Sequence, residues 1–303
     1  MTTINKVSLA KQSFFALLLL TFSFSFVLGQ TEQPPAPAAP KSVTVPAVKE
    51  TKLKNGLGMA VIERKSSPLV TVYLLVRSGA SSESSDKAGL ANLTADMLTK
   101  GTKTRTATQI AEEMEFLGGS LNSGASWNSS FVSITVTPDK LDKAMAIMAD
   151  VVLNPAFKQE ELDLLKTQAL DGLTYNLKQP SFLANYVASK YSFGEHPAGG
   201  TPTSINSITP SDVAEFHSNN YLPNGSVLIF SGDISSAQAM VSSQKVFGIW
   251  KRPNGGSGSA SGHGFWPNTE LVKRFLVVDL PNSGQAAVSY VKRLYTSRIG
   301  KDY

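Results

Sequence analysis

The sequence predicts an α+β fold, in which helices pack mainly on one face of an antiparallel β-sheet. Two observations support this prediction. Short runs rich in apolar and β-branched residues, such as Leu69–Val76 and Ser129–Val136, are typical of strands. Between these runs lie longer stretches whose apolar residues recur at helical spacing, and several of them begin with a capping signal. The chain has 303 residues, of which 42% are hydrophobic, so it can form a substantial core.

The predicted sheet begins with a β-hairpin near Glu50. Its strands are Thr51–Leu53 and Gly58–Glu63, and the Asn55-Gly56 pair between them is a strong turn signal. Leu69–Val76 is apolar almost throughout, which favours a central strand of the sheet.

Helix start and stop signals follow along the chain. Thr106-x-x-Gln109 predicts a capping box, and Thr209-Pro-Ser-Asp212 is a strong helix start. Asp139 is expected to cap a helix that Pro155 ends. The remaining predicted elements are the helices Glu160–Leu177, Phe182–Tyr191 and Ser235–Phe247 and the strands Ser226–Ser231, Val272–Leu280 and Ala286–Val291.

The most informative helix lies within Gly89–Thr102. It carries a pair of polar residues on a face that is separate from its apolar face. Asn92 and Asp96 are four residues apart and therefore lie one helical turn apart. Two His at this spacing, with a Glu between them, can bind Zn²⁺ and supply a general base. The apolar positions that predict the buried face are Leu90, Leu93, Met97 and Leu98.

This helix resembles the zinc helix of the pitrilysin-like (M16) metallopeptidases, whose motif is Gly-Leu-Ala-His-x-x-Glu-His-Met-x-x-x-Gly-Thr. In that alignment the first His falls on Asn92, the Glu on Ala95 and the second His on Asp96. The family's third ligand, a Glu on a later helix, falls near Gly172, and its supporting Glu falls near Leu165.

The resemblance extends from about Ala47 to the end of the chain, through landmarks in the same order. Gly118-Gly-Ser-Leu-Asn122 is similar to the family's substrate-binding edge strand, and Phe193–Gly199 to its Gly-x-His-Pro-Tyr-Gly loop. Phe216–Pro223 and Gly232–Ile234 match later landmarks. The resemblance implies a domain like those of mitochondrial processing peptidases, followed by the start of a second similar domain.

The aligned residues predict that no catalytic zinc is bound, so no cofactor is expected. A catalytic zinc usually takes three ligands from the protein. The Asn92 amide is a poor ligand, Asp96 can bind only weakly, and Gly172 has no side chain. Ala95 cannot accept a proton from water. His196, His217 and His263 show no ligand spacing, and a structural role is favoured for His196.

A predicted substrate-binding segment survives in the edge strand. An edge strand can bind an extended peptide through main-chain hydrogen bonds, which require no catalytic residue. Glycine and small side chains allow another backbone to approach closely. An ordinary edge strand with a glycine bulge remains the alternative. The residues assigned to this segment are Asn122, Ser123, Gly124, Ala125 and Ser126.

The N-terminus predicts a secretory signal peptide. Lys6 and Lys11 precede the largely apolar run Phe14–Leu28, and Val27 and Gly29 suit a cleavage site. The expected location is therefore the bacterial periplasm or the exterior, with no membrane span after cleavage; a retained anchor is the alternative. The absence of Cys excludes a lipoprotein anchor and disulfides.

Five segments are predicted: a signal peptide (1–29), a Pro/Ala-rich tether (30–46), an M16-like domain (47–250), a Gly/Ser linker (251–264) and an incomplete second domain (265–303). The last segment indicates a fragment or a truncated product. Removing residues 1–29 lowers the formal net charge from +5 to +3, and the basic residues are scattered, so no nucleic-acid partner is expected.

Three functions are compatible with these features. The first is an inert M16-like subunit that partners an active M16-like zinc peptidase and helps to bind extended peptides, as inert chains do in similar families. The second is a divergent zinc metalloendopeptidase that uses Asp96 and Asp171 as ligands. The third is a peptide-binding or structural relic without a partner. A zinc assay distinguishes the second function from the other two.

Overall fold

The computed structural model describes residues 46–192, 196–251 and 275–291. The predicted signal peptide lies outside these residues, as do the tether apart from Pro46 and the linker apart from Lys251. Within the described ranges, no helix combines the length and the apolar character needed to cross a bilayer.

A six-stranded mixed sheet forms the centre of the fold. Its strands are β1 Lys49–Lys52, β2 Gly58–Glu63, β3 Val70–Val76, β4 Ser120–Ala125, β5 Ser130–Val136 and β6 Ser226–Gly232. They lie in the order β1-β2-β6-β3-β5-β4, and neighbouring strands are antiparallel except β2 and β6, which are parallel. The predicted hairpin is confirmed as β1 and β2, and the predicted central strand as β3.

Several helices begin at capping signals that are visible in the sequence. Thr106 and Gln109 form the predicted capping box, and Thr209 and Asp212 form a second one. The described helices of four or more residues are α1 Leu90–Met97, α2 Ala107–Phe116, α3 Leu141–Leu153, α4 Gln159–Asn176, α5 Pro180–Ser192, α6 Pro202–Ser207, α7 Pro210–Asn220 and α8 Ser236–Phe247.

The helices bury one face of the sheet, as the alternation along the strands predicted. In the central strand, Val72 and Leu74 are fully buried, and Ile134 of β5 packs beside them. The side chains on the opposite face are partly exposed. There the rings of Tyr73 and Phe131 stack with their centroids 5.1 Å apart. The predicted α+β fold is therefore confirmed.

Three local predictions, one helix cap and two strands, are wrong. Asp139 does not cap α3, because residues 138–140 form a turn of 3₁₀-helix and Lys140 occupies the N-cap position. The predicted strands Val272–Leu280 and Ala286–Val291 are absent over their described parts, residues 275–280 and 286–291. A β-prone run gains ladder hydrogen bonds only when it pairs with another strand, and no described strand pairs with these runs.

His217 makes the stability of this fold depend on pH. Its Nε2 lies 2.9 Å from the Val152 carbonyl oxygen, and its ring stacks on Tyr221. Burial lowers the pKa of His217 from 6.5 to about 4. The unfolded state therefore binds more protons between these values, so the free energy of unfolding decreases as the pH falls through this window. We expect a loss of up to about 3 kcal/mol between pH 6.5 and 4.

Urea unfolding across this pH range measures the loss. The control is His217→Gln, which retains a donor for the Val152 carbonyl oxygen and does not titrate. The difference between the two pH profiles isolates His217 from every other titrating group. Parallel profiles would contradict the assignment.

Candidate functional site

The first turn of α1 is held by the carboxylate of Glu83, which precedes the helix N-cap residue in the same loop. Gly89, the N-cap residue, has φ +96° and no side chain to offer. Glu83 takes over this role: its Oε1 accepts a hydrogen bond from the Gly89 N–H at 2.8 Å, and its Oε2 one from the Ala91 N–H at 2.6 Å. A carboxylate at this position satisfies helix N–H groups and complements the positive end of the helix dipole.

Glu83 also pairs with His196, whose Nε2 lies 2.9 Å from Glu83 Oε1. Their side chains are 0% and 3% exposed, and the Trp127 ring packs edge-on to His196 at 5.1 Å. Burial raises the pKa of Glu83, while the hydrogen bonds from His196, Ala91 and Gly89 oppose that rise. The favoured structural role of His196 agrees with this contact. Glu83 was not predicted from the sequence, where its only signal is an acidic residue in a loop of small residues.

The three motif positions lie on α1 as aligned, but their surroundings differ. Asn92 Nδ2 donates to the Ala198 carbonyl oxygen at 2.7 Å and so ties the helix to the following loop. Ala95 is fully buried. Asp96 is partly buried, and this burial raises its pKa, an effect that the nearby Lys100 opposes. The amide at Asn92 is therefore committed to a structural hydrogen bond.

The position aligned with the third ligand lies on a helix that packs against α1. Gly172 belongs to α4, and α4 packs against α1, so the two helices that carry the aligned positions are neighbours in the fold. A Cβ atom added at Gly172 would meet no other atom within 4 Å. Leu165 is buried in the core, and Asp171 is exposed.

The donor set on these helices does not fit a catalytic zinc ion. Asp96 is the only carboxylate among the four aligned positions, and Asn92 already donates to a carbonyl oxygen. Across the described ranges, no three His, Cys, Asp or Glu side chains are grouped so that they could hold a metal ion. We therefore derive no catalytic step through a metal at this site.

The predicted peptide-binding segment lies on β4, at one edge of the sheet, next to α1. The Ser126 N–H donates to the Ser129 carbonyl oxygen at 2.7 Å, just beyond the end of the β4–β5 ladder. Bonded and non-bonded pairs alternate along an antiparallel ladder, so Asn122 and Gly124 bond to β5 and their neighbours do not. The residues whose backbone groups therefore point to the outer edge are Leu121, Ser123 and Ala125.

Gly124 permits a close contact on the partly exposed face of the sheet. A Cβ atom there would lie 2.8 Å from Phe131 Cε1, so a larger residue would displace the ring. Gly124 therefore allows the Phe131 ring of the neighbouring strand to pack against β4. Such a contact is also expected if β4 is an ordinary edge strand, the alternative considered above.

Two protein-family models match this chain. The model described as insulinase (peptidase family M16) matches residues 59–190, and the model described as peptidase M16 inactive domain matches residues 207–298. An uncharacterized zinc protease of Rickettsia bellii is 27% identical over 259 residues, which cover 82% of this chain and 61% of the relative.

Solved structures show the same fold. A peptidase M16 inactive domain from Pseudomonas fluorescens gives a TM-score of 0.61 at 27% identity, covering 66% of this chain and 50% of that chain. The periplasmic protease PqqL from Escherichia coli gives a TM-score of 0.62 at 18% identity, covering 69% of this chain and 25% of that chain. Against the first curated relatives, this chain spans 48% to 61% of their length.

Proposed function

The chain belongs to the M16 peptidase family, and from this membership we propose that it is a non-catalytic member. In this proposal it binds extended peptides along β4 and works beside an active M16 zinc peptidase. The loss of catalysis is inferred from the residues at the motif positions, where Asn92, Ala95, Asp96 and Gly172 replace the aligned ligands and general base.

The proposal rests on one combined observation: α1 keeps its packing in the fold, while the residues at its motif positions differ from the family's ligands. The apolar face of α1 is buried in the core, and α1 still packs against both α4 and the edge strand. In the described part of the chain, the outer edge of β4 pairs with no other strand. An edge strand offers main-chain donors and acceptors to an extended peptide, so binding can persist where catalysis is lost.

A pair of variants at Ser123 tests peptide binding. Ser123→Pro removes an outward N–H while the ladder bonds to β5 at Asn122 and Gly124 remain. Ser123→Ala keeps that N–H and is the matched control. We expect the proline variant to reduce the affinity for an extended peptide at least about tenfold, which corresponds to about 1.4 kcal/mol. The alanine variant should bind like the wild type.

Fluorescence anisotropy with a fluorescein-labelled nine-residue peptide of alternating Thr and Ser, with Phe at its centre, measures this affinity. Circular dichroism checks that both variants fold. Equal affinities for the proline and alanine variants would show that the outer edge of β4 does not bind the peptide.

The proposed partner is an M16 zinc peptidase with an intact His-x-x-Glu-His motif, encoded in the same genome and exported with this chain. A predicted signal peptide and the fold shared with a periplasmic protease support the periplasm as the meeting place. Co-expression and purification of both chains from a periplasmic extract tests this. We expect co-elution on size exclusion at micromolar concentration and a changed kcat/KM of the zinc chain. Clean separation with unchanged kcat/KM would refute the partnership.

A further inference from the structure

An exposed aromatic ring and an apolar cavity lie side by side between α2 and α3. Phe116, the last residue of α2, is 86% exposed. A cavity of about 500 Å³ opens next to it and extends to α3. We call this surface the α2–α3 patch. Its residues are the apolar Phe116, Leu117, Ala146 and Ile147 and the charged Glu112 and Lys143.

The packing of α2 against the core does not account for the position of this ring. The core-facing residues of α2 are Ile110 and Met114, which are buried, whereas Phe116 lies one turn after the exposed Glu112 and Glu113. A single exposed apolar side chain is common on protein surfaces. An exposed aromatic ring beside an apolar cavity is instead typical of an interface with another protein.

The two helices that form the cavity are joined by ion pairs. Arg105 Nε lies 3.1 Å from Glu113 Oε2 on α2, and Arg105 Nη1 lies 2.7 Å from Asp150 Oδ2 on α3. Asp150 Oδ2 also accepts a hydrogen bond from Thr102 Oγ1 at 2.7 Å. The shape of the cavity is therefore set before a partner binds, which lowers the free-energy cost of association.

The chemistry of the α2–α3 patch fits a second copy of the same patch. A cavity of about 150 Å³ is enough to hold a benzene ring, so this larger cavity can take the ring of one Phe. The patch itself presents such a ring in Phe116. In an interface with two-fold symmetry, each protomer offers the same surface, so a ring and a cavity on one patch can fill each other.

The charges around the cavity are also self-complementary. Two basic and two acidic side chains line it, so the patch favours neither a strongly basic nor a strongly acidic partner. Glu112 on α2 and Lys143 on α3 are exposed and have opposite charges. A two-fold axis near Phe116 can therefore place Glu112 of each protomer opposite Lys143 of the other.

We propose that the α2–α3 patch is the interface of a symmetric homodimer, in which Phe116 of each protomer enters the cavity of the other. This inference goes beyond the proposed function and does not depend on it, because it involves neither the outer edge of β4 nor a zinc peptidase. A small interface centred on one ring from each protomer predicts a weak dimer, with a Kd on the order of ten micromolar.

Sedimentation velocity of the purified full chain, alone and from about 1 to about 100 µM, tests the dimer. We expect a concentration-dependent equilibrium between monomer and dimer. Phe116→Ser should raise the Kd at least about tenfold, because it removes the ring that fills the cavity. The control is Val241→Ser, at a valine of α8 that is 68% exposed and lies outside the patch, and it should dimerise like the wild type. Circular dichroism checks the folding of both variants.

A charge swap tests the two-fold geometry. Glu112→Lys and Lys143→Glu each place like charges opposite one another, so either change alone should raise the Kd at least about threefold at low salt. The double variant restores opposite charges and should dimerise like the wild type. A chain that stays monomeric up to about 100 µM, association that continues beyond a dimer, or equal Kd values for Phe116→Ser and the wild type would overturn the proposal. So would a double variant that is no better than the single ones.

Discussion

The purified protein is expected to contain no stoichiometric zinc and to leave an unstructured peptide uncleaved. A catalytic zinc needs about three protein ligands, and Asp96 is the only carboxylate at the aligned positions. Metal analysis by mass spectrometry and a fluorogenic peptide assay measure both outcomes. About one zinc ion per chain, lost in Asp96→Ala, would instead support a divergent metallopeptidase.

Restoring the site requires the distal helix as well as the motif helix. The triple substitution Asn92→His, Ala95→Glu and Asp96→His supplies two ligands and a base, and we expect it to bind zinc weakly. Adding Gly172→Glu supplies the third ligand, at a position where a side chain has open space. The zinc affinity should then increase on the order of a hundredfold.

The matched control for this graft is Gly172→Gln in the same triple background, because it adds the same volume without a carboxylate. Ala95 is fully buried, so thermal unfolding of each variant must be followed to exclude misfolding. Full peptidase activity is not expected even in the quadruple variant, since the family's supporting Glu aligns near Leu165, which cannot take its place. Efficient hydrolysis by the triple variant alone would show that the third ligand lies elsewhere.

The second large effect is expected at Glu83. Truncation in Glu83→Ala leaves the Gly89 and Ala91 N–H groups and the His196 ring without their buried partner. Removing one member of a buried pair typically costs about 3–5 kcal/mol. The free energy of unfolding of a whole domain is only about 5–15 kcal/mol, so this change should remove a large part of the stability of the fold.

Urea unfolding at neutral pH measures the loss. Asp86→Ala, at an exposed neighbouring acid, is the control and should change the free energy of unfolding by less than about 0.5 kcal/mol. A double-mutant cycle with His196→Ala separates the pair from the helix-capping contacts. A change as small for Glu83→Ala as for the control would mean that water replaces the carboxylate and that α1 is anchored by other contacts.

Much of the fold could be predicted because its signals are local. The alternation in Ser130–Val136, the capping boxes at Thr106 and Thr209 and the turn at Asn55-Gly56 each act within a few residues. The predicted strands Val272–Leu280 and Ala286–Val291 are absent over their described parts, 275–280 and 286–291, for the complementary reason. Local β-propensity describes what a segment can do, whereas a ladder requires a partner strand.

The candidate site likewise has some features that the sequence predicts and others that depend on tertiary contacts. From the sequence, and through its resemblance to the family, Asn92, Ala95, Asp96 and Gly172 are predicted not to form the family's ligand set. How α1 is anchored is visible only in the folded chain. Glu83 reaches His196, far along the chain, and α2 meets α3 around a cavity. Such contacts depend on how the chain folds back on itself, and no spacing along the sequence encodes them directly.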